Sequence, residues 1–483
     1  MSLVPRSRGL RRRLVVYGLL AASVAGLVAA TWWIRHGGEV DADTEWIARD
    51  WAAEPAVRLL REYVRIDTSA ATGNEQAGAE WLAGKLRAAG IEPHVERLGK
   101  RSANLWAVIE GERREALVLH HHIDVADIEH PELWAHPPFA AVYDPPWLVG
   151  RGVFDMKSLA VAQLTAFLEL ARAGRRPELS VVLLATGDEE TGSRLGTEWL
   201  LRRHPELAER FWAVLTEGGV VEAIGPDQIK FWGIEVAQKR FADGVFCAAS
   251  RERLEHLRED LEEHSRQPPF PLSLAPEVDA VLRAYAPTRG RPELAAAMRH
   301  PQRTLTDAAA FRDLPAYVQA MFRAELHPMQ IEEAPGGGYR LPFVLHLPPG
   351  VELEETLPGL LPAWMTAGVA WHVEEARGAD GGSPLAHPVP RELRRAIERI
   401  HPGAPVGPWL LPWTATDARF FRRAGVPSYG FSPFLVVAAE TYSIDGPNER
   451  MSMPGFVRGV DLYVDVVRRI VERGDREEAD SPS

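Results

Sequence analysis

Apolar and polar positions in this chain switch between two periods, and the switches mark its elements. Residues 75–89 keep helical spacing and are closed by Gly90, a residue suited to the left-handed turn that ends a helix. Strand-like segments follow at 92–98, 104–110 and 116–122. Residues 158–173 read as a helix that is apolar on most faces and stopped by Gly174, as burial against a sheet would require. The short runs 181–184 and 211–215 are β-rich without alternation, the pattern of strands covered on both faces. Strands alternating with helices predict an α/β core, doubly wound around a mostly parallel sheet, up to about residue 235.

The pattern then changes. Residues 244–250 are strand-like, 251–264 form a charged helix, and a Pro-rich break follows before further strand-like stretches at 339–347 and 369–375. Residues 236–387 are therefore expected to form a smaller α+β domain inserted into the first. The core pattern returns from 388 to 474, with a helix at 391–400, an apolar segment at 426–431 and a last helix. In that helix Val457, Val460, Val464, Val467 and Val471 share one face. The main domain is thus expected over 45–235 and 388–474, and the acidic tail 475–483 is expected to be disordered.

The amino terminus adds a separate expectation. Residues 14–34 are uncharged, about 30 Å long as a helix and enough to cross a bilayer. Arg6, Arg8, Arg11, Arg12 and Arg13 precede them, and Trp32 and Trp33 stand where interfacial aromatics belong. Residues 1–35 are read as a membrane anchor with the rest of the protein extracytoplasmic. The competing reading is a signal peptide cleaved near Val28-Ala29-Ala30, which would leave the protein secreted.

Composition narrows the classes. With 46% apolar and 25% charged residues over 483 positions, the chain has room for two or three ordinary globular domains. The net charge of -12, and the lack of a basic stretch beyond the amino terminus, argue against nucleic acid as a partner. A single cysteine, Cys247, excludes an internal disulfide and a Cys-type zinc site.

Three apolar runs end abruptly in metal-type ligands. The run 116–119 leads into His120-His121-His122-Ile123-Asp124, the run 181–184 into Asp188-Glu189-Glu190, and the run 211–215 into Glu217. On a strand, His122 and Asp124 project the same way, which suits a metal-binding imidazole oriented by a carboxylate. Glu189 and Glu190 must diverge if extended, leaving one for a metal and the other for a bound water. Asp155, in Gly150-Arg151-Gly152-Val153-Phe154-Asp155-Met156-Lys157, follows a turn and precedes a helix. Each of these residues alone has a bland reading as a polar strand end or loop residue. Their joint occurrence points to a carboxylate-rich metal centre.

At these residues the chain resembles the co-catalytic zinc peptidases and aminoacylases that include carboxypeptidase S, succinyl-diaminopimelate desuccinylase and carnosinase. The matching motifs are His122-Ile123-Asp124-Val125, Trp134 with Pro138-Phe139, Gly150-Arg151-Gly152 with Asp155-Met156-Lys157, and Asp188-Glu189-Glu190 with Gly192. Glu217-Gly218, Thr416-Asp417-Ala418-Arg419 and Asn448-Glu449-Arg450 complete them. The resemblance implies a catalytic domain with an inserted lid or dimerisation domain, a possible homodimer, and two Zn²⁺ per subunit, with Mn²⁺ or Co²⁺ as alternatives. It makes Asp155 the bridging ligand, His122 and Glu217 the ligands of one ion, and Glu190 that of the other. Glu189 becomes the general base and Asp124 the residue that orients His122. The substrate it implies is a small peptide or an N-acyl amino acid.

This chain departs from that pattern in several places. Asp445 stands where the family places a last zinc-binding His, and is expected to ligate in its stead. The nearest match to the lid histidine is His264, in Glu263-His264-Ser265-Arg266-Gln267-Pro268. His346 aligns with an Arg that binds substrate carboxylate, removing a bidentate clamp. Two functions from different classes follow: a metal-dependent amide hydrolase, or a non-catalytic relative that binds a metal or ligand. An amidohydrolase barrel built on His120-His121-His122 would need a second His-rich strand end, and none is present. A serine hydrolase and a zincin lack their Gly-x-Ser-x-Gly and His-Glu-x-x-His motifs.

Overall fold

Parallel strands need both faces covered, and the long apolar runs of this chain meet that need in one large sheet. The computed structural model describes residues 49–225, 228–266, 274–374, 381–436, 441 and 443–473. The sheet runs in the order β1 (His94–Leu98), β2 (Ser102–Ile109), β6 (Leu179–Thr186), β3 (Arg113–His122), β7 (Phe211–Thr216), β16 (Ser428–Gly430), β9 (Gln228–Gln238) and β15 (Val406–Leu411), with β8 (Val220–Gly225) paired to β9. The central strands β6, β3, β7 and β16 are mutually parallel, whereas β2 joins β6 antiparallel. A short antiparallel sheet pairs β4 (Val142–Asp144) with β5 (Trp147–Val149), which ends just before the Asp155 turn, and β5 with the distant β17 (Arg450–Ser452).

The two faces of β3 show how the sequence is used. Ala116 and Val118 join Val182, Leu184, Leu200, Phe211, Val214 and Phe421 in one apolar layer. Leu117 and Leu119, also fully buried, point the other way by the alternation of a strand. Helix α3 (Lys157–Arg172) has eleven buried residues and packs against helices α1 (Pro55–Val64) and α8 (Met453–Arg473). The observed α3 starts one residue before the expected helix and ends one residue earlier, a difference within the fraying of helix ends.

The second sheet follows the order β11 (Glu325–Pro328), β13 (Tyr339–Leu347), β10 (Arg240–Ala248) and β14 (Ala370–Val373), with β12 (Glu332–Glu333) on β13, and its pairs are antiparallel. Helices α4 (Arg251–Arg266) and α6 (Leu353–Leu360) cover one face, where Ala242, Phe246, Leu254, Leu257, Leu341, Phe343 and Leu345 form a core of their own. The opposite face carries the alternate residues, among them Phe241 and His346, which pair across the sheet. This is the α/β architecture with a smaller α+β unit that the pattern implied.

One stretch runs against expectation. Beyond the Pro-rich break, Pro276, Pro292 and Pro301 each open a helix that the pattern did not announce, at a position where a missing N–H costs nothing. Helix α5 (Pro276–Tyr285) packs not on the small sheet but on β15, with Ala284 so close that a Cβ on Gly407 would lie 2.6 Å from it. The rings of Tyr285 (edge-on) and Tyr317 (tilted) both lie against Trp409 of β15. The chain therefore passes from the large sheet to the small one at β10, returns at α5, leaves again at β11 and returns at α7 (Pro388–Ile400).

The expected membrane anchor and extracytoplasmic placement are withdrawn. Among the described residues no helix is long and apolar enough to cross a membrane. The segment 14–34 on which both expectations rested lies outside the described residues, as does the tail 475–483.

Candidate metal centre

Because β6, β3 and β7 are adjacent and parallel, their carboxyl ends open side by side, the usual ligand crevice of an open α/β sheet. The turns that leave them bring together His122 and Asp124, Glu189 and Glu190, and Glu217. Ligand atoms of His122, Asp155 and Glu190 lie within 4.8 Å of one another, and so do those of His122, Glu189 and Glu217. Glu189 and Glu190 thus diverge into two groups that share one imidazole.

His122 is held rigidly. Its Nδ1 is 2.8 Å from the main-chain oxygen of Asp124, which leaves Nε2 facing Asp155 Oδ1 at 3.1 Å and Glu217 Oε2 at 3.7 Å. The orienting contact therefore comes from the Asp124 carbonyl rather than from its carboxylate, whose Oδ1 stands 3.6 Å from Nδ1. The Asp124 carboxylate serves the next turn instead: the Glu190 N–H donates to its Oδ2 at 2.9 Å.

Asp155 sits on a turn clamped by a residue almost three hundred positions away. The carboxylate of Glu449, fully buried, accepts from the main-chain N–H groups of Gly152, Phe154 and Asp155 at 2.9, 2.8 and 3.2 Å, and from Arg151 Nη1 at 2.9 Å. Arg151 also donates to the main-chain oxygen of Asp445, and its Nη1 is 3.7 Å from Asp445 Oδ1. Asp445 belongs to neither of the two ligand groups. Its backbone is in the left-handed region (φ 54°), and its charge adds to the upward push on Glu190.

The electrostatics describe a site crowded with negative charge. Burial, reinforced by Asp155, pushes Glu190 up to about 9 and Glu217 up to about 7. Burial and then Glu217 raise Glu189 well above the carboxylate range, and burial with Asp155 lifts Asp445 to about 6. Burial works against a charged His122, but Glu217, Asp124 and Asp155 outweigh it and hold the imidazole well above its ordinary value. Buried carboxylates this close must take up protons or be matched by cations. Oxygen donors with a single imidazole are a donor set that divalent ions accept, and the two ligand groups give room for a pair of them. The residues present fit a two-ion centre.

The model of peptidase family M20/M25/M40 matches residues 118–469, which contain every residue of this centre. This chain belongs to that family. Curated relatives similar to this M20/M25/M40 member include succinyl-diaminopimelate desuccinylases from Alkalilimnicola ehrlichii (35% identical over 146 residues, 30% of this chain and 38% of the relative) and Methylocella silvestris (33% over 183 residues, 37% and 46%). The chain thus spans less than half the length of the curated relatives it matches. Similar solved structures include an M20 family metallo-carboxypeptidase from Sulfolobus solfataricus (TM-score 0.64, 14% identity, 86% of this chain and 99% of that one) and human carnosine dipeptidase 1 (TM-score 0.61, 14% identity, 86% and 96%). At those identities the likeness is one of fold.

Other expected residues lie elsewhere. His264 is on α4, and its Nε2 meets the main-chain oxygen of Gly359 at 2.8 Å, within the small domain. His346 is on β13, its ring 4.4 Å from those of Phe241 and His327 and tilted to both. Glu75, outside every motif above, is a mostly buried carboxyl that burial, reinforced by Asp124, pushes up to about 7, with its Oε2 accepting from Ser102 Oγ at 2.6 Å. Glu449 and Asp417 stand in quoted motifs without an assigned role. Of the His run only His122 faces the ligands. His121 lies 2.8 Å from Gln163 Oε1 on the α3 side, and His120 is buried on the opposite side.

Proposed function

We propose that this protein hydrolyses an amide bond in a small peptide or an N-acyl amino acid, using two divalent ions, with Zn²⁺ first and Mn²⁺ or Co²⁺ as alternatives. One observation carries the reading: His122 stands where two carboxylate groups meet, one containing Asp155 and Glu190, the other Glu189 and Glu217. Membership of the peptidase family and the matched desuccinylases support it. Asp155 would bridge the ions, His122 and Glu217 would hold one, and Glu190 with Asp445 the other. Bound there, the ions would supply Lewis acidity to the scissile carbonyl and acidity to a shared water.

The chain's own residues account for the proton. Glu189 takes it from the attacking water and returns it to the leaving nitrogen, so that the C–N bond is replaced by C–O and the products are a carboxylic acid and an amine. Asp124 keeps His122 in place through its carbonyl and the Glu190 turn through its carboxylate. Residues 236–387 are proposed as the lid, with α5 docked on the large sheet. The test is metal analysis of the purified protein after loading with Zn²⁺, Mn²⁺ or Co²⁺, coupled to turnover on a panel of N-acyl amino acids and dipeptides. Two bound ions with turnover support the reading, and no turnover with any of the three ions sinks it.

A further inference from the structure

Beneath the centre lies a polar layer that the proposed chemistry does not use directly. His120 is fully buried two residues before His122 on the same side of β3. Its Nδ1 is 2.9 Å from Thr216 Oγ1, the residue before Glu217. Its Nε2 is 2.9 Å from Thr186 Oγ1, at the end of β6, and 3.1 Å from Thr197 Oγ1, just beyond the turn that carries Glu189 and Glu190. One ring therefore spans the ends of both flanking ligand-bearing strands.

Asp417 closes the layer from the far side of the chain. It is fully buried; its Oδ2 accepts from Thr197 Oγ1 at 2.6 Å and from Thr186 Oγ1 at 3.4 Å, and its Oδ1 accepts from Ser193 Oγ. Ser193 and Thr197 bracket the end of the turn that begins at Gly187. That turn is not a relaxed one. Asp188 (φ 63°) and Ser193 (φ 59°) both occupy the left-handed region, which persists in non-glycine residues when the surroundings over-determine it. Further restraints are present: Asp188 Oδ2 accepts from the Leu195 N–H at 2.8 Å, and Asn104 bonds both the Gly187 N–H and the Leu195 oxygen. Gly196 passes so close to the Gly187 oxygen that no side chain fits there. A buried carboxylate is costly to keep, and this one is spent on two hydroxyls of the one turn that must present two adjacent glutamates in different directions.

We propose that Asp417 is a positioning residue for the centre: by gripping Ser193 and Thr197 it fixes the turn that presents Glu189 and Glu190, while His120 ties that turn to the strand end bearing Glu217. This rests on the two-ion reading above. The test compares Ser193→Ala, Thr197→Val, Thr197→Ser and Asp417→Asn with the wild type. Each is measured for thermal midpoint, Zn²⁺ affinity by competition with a chromophoric chelator, kcat and KM. Ser193→Ala and Thr197→Val are expected to stay folded, to bind one of the two ions about tenfold more weakly, and to lose about tenfold in kcat with KM little changed, the usual cost of removing an outer support. Thr197→Ser keeps the hydroxyl and is expected to restore both quantities, and Asp417→Asn to lose the most.

Variants that melt earlier yet keep wild-type ion affinity and kcat would make the layer mere packing and overturn the proposal. So would equal losses in Thr197→Val and Thr197→Ser. Should the wild type turn over no amide at all, the functional reading falls on its own, and the Zn²⁺ affinities still decide the clamp. Should Asp417→Asn fail to fold, the Ser193 and Thr197 variants decide it.

Discussion

Among the described residues, two places gather carboxylate and imidazole groups within reach of one ion, and they differ in what surrounds them. At the centre, Asp155, Glu189, Glu190 and Glu217 share one imidazole, and burial pushes the glutamates toward protonation. In the small domain Glu325, His327 and His346 also come within 4.8 Å of one another. There the single carboxylate is already matched: Lys239 Nζ is 2.9 Å from Glu325 Oε2, and Arg323 Nε is 2.9 Å from its Oε1. Burial opposes a charged Glu325, yet Lys239 and Arg323 hold its pKa below the usual range, while burial pushes His346 down to about 3. Unit charges about 4 Å apart near a protein surface interact by about 4 kcal/mol, so a divalent ion would meet repulsion from both cations. Ligand types in proximity do not make a metal site. The sign of the unmatched charge does.

The largest effect that sharpens this contrast is expected at the centre. Glu189→Gln should lower kcat by about 10²–10⁴-fold, the worth of a positioned general base, with both ions retained by metal analysis. A variant with wild-type kcat would leave the centre no more a site of chemistry than the small-domain cluster. Next, Glu325→Gln leaves Lys239, fully buried, without its carboxylate, and should cost about 3–5 kcal/mol in urea unfolding while the ion count stays unchanged. Loss of an ion instead would erase the distinction between the two places.

A third prediction concerns pH. In the metal-free protein Glu190 and Glu217 titrate near 9 and 7, above the ordinary 4.5, so the folded state holds more protons than the unfolded chain between those values. Their contribution to stability is therefore full below about pH 4.5 and is lost as pH rises through 7 and 9. Thermal melts with chelator should show the midpoint falling over that window, less steeply in Glu190→Gln, and saturating Zn²⁺ should flatten the trend. A midpoint that rises with pH for these groups would contradict the crowding of charge described above. The smallest effect is expected from the double variant His327→Ala, His346→Ala, whose ion stoichiometry by metal analysis should equal that of the wild type.

Much of the centre was legible because buried parallel strands write themselves as unbroken apolar runs, and the ligand-type residues follow where those runs stop. His122, Glu189, Glu190 and Glu217 come together on that logic, and Asp155 joins them from the turn before α3. What the runs do not encode is partnership across distance. Glu449 grips the Gly152–Asp155 turn across 294 to 297 residues, and Asp417 grips Ser193 across 224. Neither pairing leaves a local period. Within the triple histidine, alternation sends His121 to α3 and leaves His120 on the side of His122 but one step back from the strand end, among the hydroxyls of Thr186, Thr197 and Thr216. Proline was the other unused signal, since Pro276, Pro292 and Pro301 announce helix starts rather than a gap.

The small-domain ion pair acquires a different meaning from the route of the chain. Lys239 is the single residue between β9 and β10, and Arg323 and Glu325 lie where the chain leaves the helix Ala316–Phe322 and enters β11. Glu325 thus rivets two neighbouring passages between the sheets to each other at the seam. The chain crosses between the sheets at four points rather than two, and because α5 is docked at Gly407 on the large sheet, any closing movement of the small sheet must carry α5 along or shear past it.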